Sequence, residues 1–163
     1  VDKQRLVDYG YFMRWTRDEH GMQFQAIHYS KLNSRQQETY NFHKVAGILA
    51  DYGFTSIRLS DDWEGADFIA QHIDGSSFLK VQLKGRLSFN KKYLGKDLWI
   101  CFIHENQVIL YPHDLALEKF SGEGRITNTA AWHDGGSYHF PYLGKEVLAL
   151  IEEFRIRPVK TFG

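Results

Sequence analysis

The sequence predicts a mixed α/β domain, a central sheet of about five strands flanked by helices. Three observations lead there. Segments of helical and strand periodicity alternate along the chain. Asp74-Gly75, among the strongest two-residue hairpin signals, joins two of the strand segments. At 163 residues, with 43% apolar and 25% charged content, the chain has the length of one domain and the composition of an ordinary folded protein. Disordered, collagen-like and low-complexity classes are thereby excluded.

Residues 1–32 read as an N-terminal extension without a clear element. A helix starts at Asn33 or Ser34, a good N-cap with Gln37 in the capping-box position. Phe42, Val45, Ala46, Leu49 and Tyr52 follow at helical spacing, and Gly53 is a C-terminal stop. Glu38 shares that apolar stripe, so it stands at the rim of the core or has a partner that offsets its burial. Residues 55–60 read as a strand with Ile57 and Leu59 on one face, followed by an acidic turn from Asp61 to Gly65. Two strands, 66–73 and 76–84, flank Asp74-Gly75, and two more span 98–103 and 108–111. A short helix over 114–120 follows Pro112, a loop covers 121–141, and a last helix runs over 143–154. A single domain of residues 33–163 is expected, with its core in 33–120 and a loop plus helix in 121–163.

Twenty basic residues balance twenty acidic ones, so bulk charge does not point to a polyanion. The distribution does. Asp61, Asp62, Glu64 and Asp67 crowd together, whereas the stretch from Gly75 to Lys96 has no acid and six cations: Lys80, Lys84, Arg86, Lys91, Lys92 and Lys96. Phe89 and Tyr93 are interleaved with these cations, a pattern suited to a nucleic-acid backbone with bases nearby or, equally, to an exposed connecting loop. In the first helix Arg35, Gln36 and Lys44 are further candidates for phosphate contact. The longest apolar run, Leu98 to Ile103, is too short for a membrane span, and no secretory signal opens the sequence. Cys101 is the one cysteine and lies in that run, which fits a buried thiol and a reducing, cytoplasmic setting. None of the eight histidines has a tight zinc-ligand spacing.

If Asp74 and Gly75 form the turn, opposed positions sum to 149. Phe68 then faces Val81 and Ala70 faces Leu79 on an apolar side. On the other side Asp67 meets Gln82, and Gly65 meets Lys84. Directly opposed Cβ atoms lie about 4.5–5.5 Å apart, so Asp67, Gln82 and Lys84 are expected at one end of the hairpin. A slip of one residue would scatter the apolar pairs as well. Such a cluster suits Mg²⁺, a hard cation that takes oxygen ligands and keeps several waters. Asp67 offers a charged oxygen, Gln82 an amide oxygen and Leu83 its peptide carbonyl, while the Lys84 ammonium suits orienting a water or meeting charge on a phosphate.

Asp67 followed by Gln82-Leu83-Lys84 resembles the PD-(D/E)xK nuclease superfamily, with Gln in place of the Glu of E-x-K. Gly65-Ala66-Asp67 and Val81-Gln82-Leu83-Lys84-Gly85-Arg86 are similar to the catalytic hairpin of its Mrr-type restriction branch. Of eleven lysines only Lys84 has Asp, Glu or Gln two residues before it. The resemblance covers residues 33–120, about half the chain; the position before Asp67 is Ala66 rather than Pro. It implies a restriction-endonuclease-like core and a Mg²⁺-dependent phosphodiesterase, with Mn²⁺ as a substitute. Asp67, Glu38 and Gln82 then serve the metal, and Lys84 the water. The expected partner is DNA, with RNA second, contacted by Arg86, Lys91, Lys92, Tyr93, Lys96 and Arg35. The alternative is a nuclease-fold module that binds nucleic acid without chemistry, a reading kept open by Gln82. Cutting both strands would require a homo-oligomer, since one such site cuts one strand.

Overall fold

The structure, a computed structural model, describes residues 15–18 and 21–159; residues 1–14 of the predicted extension lie outside the described residues. The remainder of the extension carries a short hairpin of β1 (Trp15–Asp18) and β2 (Gly21–Phe24), then a 3₁₀ turn over Tyr29–Lys31.

The first helix, α1 (Ser34–Asp51), begins as its sequence requires. Asn33 Oδ1 accepts from the Gln36 N–H at 3.0 Å, and Gln36 Oε1 accepts from the Asn33 N–H at 2.9 Å. With Asn33 as N-cap the third helical residue is Gln36, so it closes the capping box in place of Gln37. The Gln37 amide instead donates to the Leu32 carbonyl at 3.0 Å. Past Tyr52 the chain turns at Gly53, whose φ of +79° suits glycine.

Six strands form the central sheet, one more than expected: β3 (Phe54–Trp63), β4 (Ala66–His72), β5 (Phe78–Leu83), β7 (Leu98–His104), β8 (Gln107–Pro112) and β10 (Arg155–Ile156). Their order is β10-β8-β7-β5-β4-β3. Only β5 and β7 are parallel, which makes the sheet mixed. Phe68 pairs with Val81 and Ala70 with Leu79, the expected register. The connection is nevertheless longer than two residues, because His72 N–H still bonds Ser77 O at 2.9 Å. Asp74 organises this wider loop by accepting from the N–H groups of Ser76 and Ser77, each at 2.8 Å. The loop gains one residue on each side, so the register sum is unchanged.

Alternation divides the sheet's side chains between two cores. On one face Phe68, Ala70, Val81, Cys101, Val108 and Leu110 pack under Phe42, Val45 and Leu49 of α1. On the other, Leu98, Ile100, Phe102, Ile109 and Tyr111 pack against α2 (His113–Gly122) and α4 (Lys145–Ile151). The segment 121–141, expected as a loop, holds α3 (Ala130–Gly135) and β9 (Ser137–His139). Buried Ile126, Trp132 and Phe140 anchor it, each supplying apolar area that a bare loop could not leave in water.

The basic stretch is likewise not an exposed loop. It contains β6 (Ser88–Asn90), paired with β9, and a 3₁₀ turn over Lys91–Tyr93. Leu87, Phe89 and Tyr93 are buried, so these aromatics serve the core rather than a bound strand.

Candidate active site at the open end of the sheet

Strand β3 follows β4 from Phe54↔His72 to Arg58↔Phe68, then loses register and rejoins only at Trp63↔Ala66. Residues 59–62 of β3 therefore face a single residue of β4, Asp67. The bulge swings β3 away and opens space beside that carboxylate, a common device next to functional sites. The two residues that turn the chain from β3 to β4 are Glu64 and Gly65, both with positive φ (56° and 96°). Asp61 and Trp63, expected in an acidic turn, belong to the bulged strand instead.

A cleft of about 1030 Å³ fills the gap, lined by Arg35, Glu38, Arg58, Asp61, Asp67, Gln82 and Lys92 among others. Asp67 is half-buried. Its Oδ2 accepts from the Leu83 N–H at 2.7 Å and from the Gln82 side-chain amide. The same amide donates to the Leu83 carbonyl at 3.2 Å, so one NH₂ group bridges two oxygens of the expected metal set. Tyr93 Oη donates to Gln82 Oε1 at 3.3 Å and fixes the amide's orientation. Burial holds the Asp67 carboxyl above the usual carboxylate range, against the opposing pull of the Leu83 N–H and the Lys84 charge.

Glu38 reaches the cleft from the first turns of α1. It is exposed and ion-paired with Arg58, whose other terminal nitrogen donates to Thr39 Oγ1 at 3.0 Å. This settles the alternative posed by its position: it sits at the rim, with a partner.

Lys84 stands just past β5, its N–H bonded to Cys101 O at 2.8 Å. Lys84 also contributes to the lining of a second hollow with Tyr29, Tyr40 and Asn41. Its ammonium lies 5.5 Å from the centre of the Tyr93 ring, and the Lys92 ammonium 5.0 Å from it. Tyr93 thus joins Lys84, Lys92 and Gln82. It was expected to touch nucleic acid, but only 3% of its surface is exposed, so it acts from beneath the site.

Of the other basic candidates, Lys92 and Arg35 line the cleft. Arg86 is exposed. Lys91 bonds the His133 carbonyl at 3.3 Å and stands over Trp132, away from Asp67's partners. Lys96 accepts at its carbonyl from the Lys80 ammonium. One contributor was not anticipated: Arg58, which pairs with Glu38. A charge between Ile57 and Leu59 on a strand was the available signal for it. Gly65, expected opposite Lys84, has the further role of making room for Tyr93.

No protein-family model matches the chain, and no curated protein matches it either.

Proposed function

We propose that this chain is a Mg²⁺-dependent endonuclease that hydrolyses DNA phosphodiester bonds, built on a PD-(D/E)xK-type core. One observation carries the reading: Asp67 and the Gln82 amide that bridges it to the Leu83 carbonyl lie in a cleft that Glu38 also lines. The donor chemistry suits Mg²⁺. Two carboxylates and a peptide carbonyl are hard oxygen ligands, with the remaining positions left to water. Among the described residues no cation forms an ion pair with Asp67, so its half-buried charge lacks the partner a dication would supply.

Asp67, Glu38 and the Leu83 carbonyl would hold the ion, and a rotated Gln82 amide would offer Oε1. When bound, the ion polarises a phosphoryl oxygen and lowers the pKa of water. Lys92 and Arg35 hold the flanking phosphates by charge. The Lys84 ammonium, kept over the Tyr93 ring, contributes positive potential to the site and orients the attacking water. DNA is the preferred backbone over RNA. Cutting both strands requires a second copy, and the setting is cytoplasmic. Among the described residues no helix is long and apolar enough to cross a membrane.

The test is cleavage of plasmid and branched DNA with and without Mg²⁺ by wild type, Asp67→Ala and Lys84→Ala. A Mg²⁺-dependent rate that falls at least a hundredfold in Asp67→Ala is expected, on the scale of ~10² for a removed charge-stabilising group. Equal rates in all three proteins would sink the proposal.

A second reading has its own observation. The Gln82 amide satisfies Asp67 and the Leu83 carbonyl without a cation, and Arg58 satisfies Glu38. That is the arrangement of a nuclease-fold module that binds nucleic acid without cutting it. It predicts DNA binding that survives EDTA and no cleavage with Mg²⁺ or Mn²⁺.

A further inference from the structure

Among the described residues, the face of the sheet opposite α1 is covered over β7 and β8 and left open over part of β3, β4 and β5. There Ile57, Trp63 and Phe78 are 59%, 60% and 53% exposed. Together with Leu59, Ile69 and Lys80 they line an apolar groove of about 450 Å³. That volume lies within the range of small-ligand sites. Leu59 lines both this groove and the cleft of Asp67, so the two adjoin across its side chain. Lys80 ties the groove to the basic segment through the Lys96 carbonyl.

We infer that this groove receives an unpaired base of the strand whose phosphate lies in the cleft, so that the substrate is single-stranded or locally unpaired DNA. The inference rests on the endonuclease reading and names its substrate class. A nucleotide is half anion and half apolar ring. The molecule offers both complements side by side: Arg35 and Lys92 in the cleft, then Leu59, Trp63 and Ile57 along the groove. In a duplex the base faces are stacked on their neighbours and cannot enter such a groove; an unpaired base can, and aromatic side chains are its usual platform. Trp63, whose backbone pairs with Ala66 beside Asp67, presents an exposed ring that lines the groove. A second copy of the chain seated on the groove would also lie across Leu59 and the mouth of the cleft.

The experiment measures binding by fluorescence anisotropy in Ca²⁺ buffer at fixed ionic strength. The probes are a labelled oligothymidylate, its abasic counterpart and a hairpin duplex of matched charge. The proteins are wild type, Trp63→Ala and Trp63→Phe. The single strand should bind wild type more tightly than the duplex does. Trp63→Ala should weaken the single strand about tenfold, the scale of one base–aromatic stack, and leave the abasic strand and duplex unchanged. Trp63→Phe should restore most of the loss. DNA binding that Trp63→Ala leaves alone, or weakens equally for all three probes, overturns the inference while the endonuclease reading stands. No binding of any probe overturns both. A wild-type dimer that sediments as a monomer in Trp63→Ala makes the groove a contact between copies and also overturns it.

Discussion

Ionisation of Asp67 is costly. Burial raises its carboxyl above the usual value, and the Leu83 N–H and Lys84 only partly compensate. A raised folded-state pKa means that the penalty is present above the unfolded pKa and is relieved as pH falls through the folded one. Asp67→Asn keeps an acceptor for Leu83 and removes the charge. It should therefore raise the thermal midpoint at neutral pH. Differential scanning fluorimetry at pH 7 checks it; an unchanged or lower midpoint would show that the charge is already compensated. His113 makes the opposite case. It is buried; its Nε2 accepts from the Asn90 N–H at 3.2 Å, and its Nδ1 meets Asp114 Oδ1 at 2.7 Å. Burial holds it below its usual value of 6.5, although Asp114 pulls the other way. The folded state thus binds fewer protons than the unfolded state just below pH 6.5, so stability is lost as pH falls through that window. His113→Gln should lower the midpoint at pH 7 and flatten its decline between pH 7 and pH 5, measured as thermal midpoints across that range. An equal decline in both proteins would exclude His113 as the cause.

At the scale of elements, the site depends on how β3, the Glu64-Gly65 turn and the 3₁₀ turn at Tyr93 fit together. A Cβ on Gly65 would meet Tyr93 Cε1 at 2.8 Å, and the φ of +96° is itself unfavourable to a side chain. Gly65→Ala should cost about 1–3 kcal/mol by chemical denaturation. It should also displace Tyr93 from Gln82 and Lys84 and so reduce cleavage. Gly85→Ala, with nothing within 4 Å of its added methyl, is the control and should do neither. These relations explain what could be read in advance. The helix from Asn33, the strand segments and the 149 register were legible because periodicity, capping chemistry and apolar pairing are local or nearly so. The neighbourhood of Asp67 and Gln82 followed from that register. The bulge over 59–62 and the burial of Tyr93 were not legible, since each is set by packing between segments distant in sequence. The helix and strand within 121–141 escaped for a related reason. Their short runs are stabilised by Trp132 and Phe140 entering a core made elsewhere.

Across the whole molecule, zero net charge conceals a polar layout. One half of the sheet is buried on both faces. The other half ends in the bulged β3, which borders the cleft and, beside it, an apolar groove that no described residue covers. Acidic and amide side chains line the cleft together with Arg35 and Lys92. That combination suits a dication and a phosphate in one cleft. The dication is the point on which the endonuclease reading turns. Calorimetric titration of Mn²⁺ into the wild-type chain and into Asp67→Asn addresses it without any need for turnover. Saturable binding in the wild type that vanishes in Asp67→Asn is the predicted result; no binding in the wild type, or equal binding in both, would contradict it.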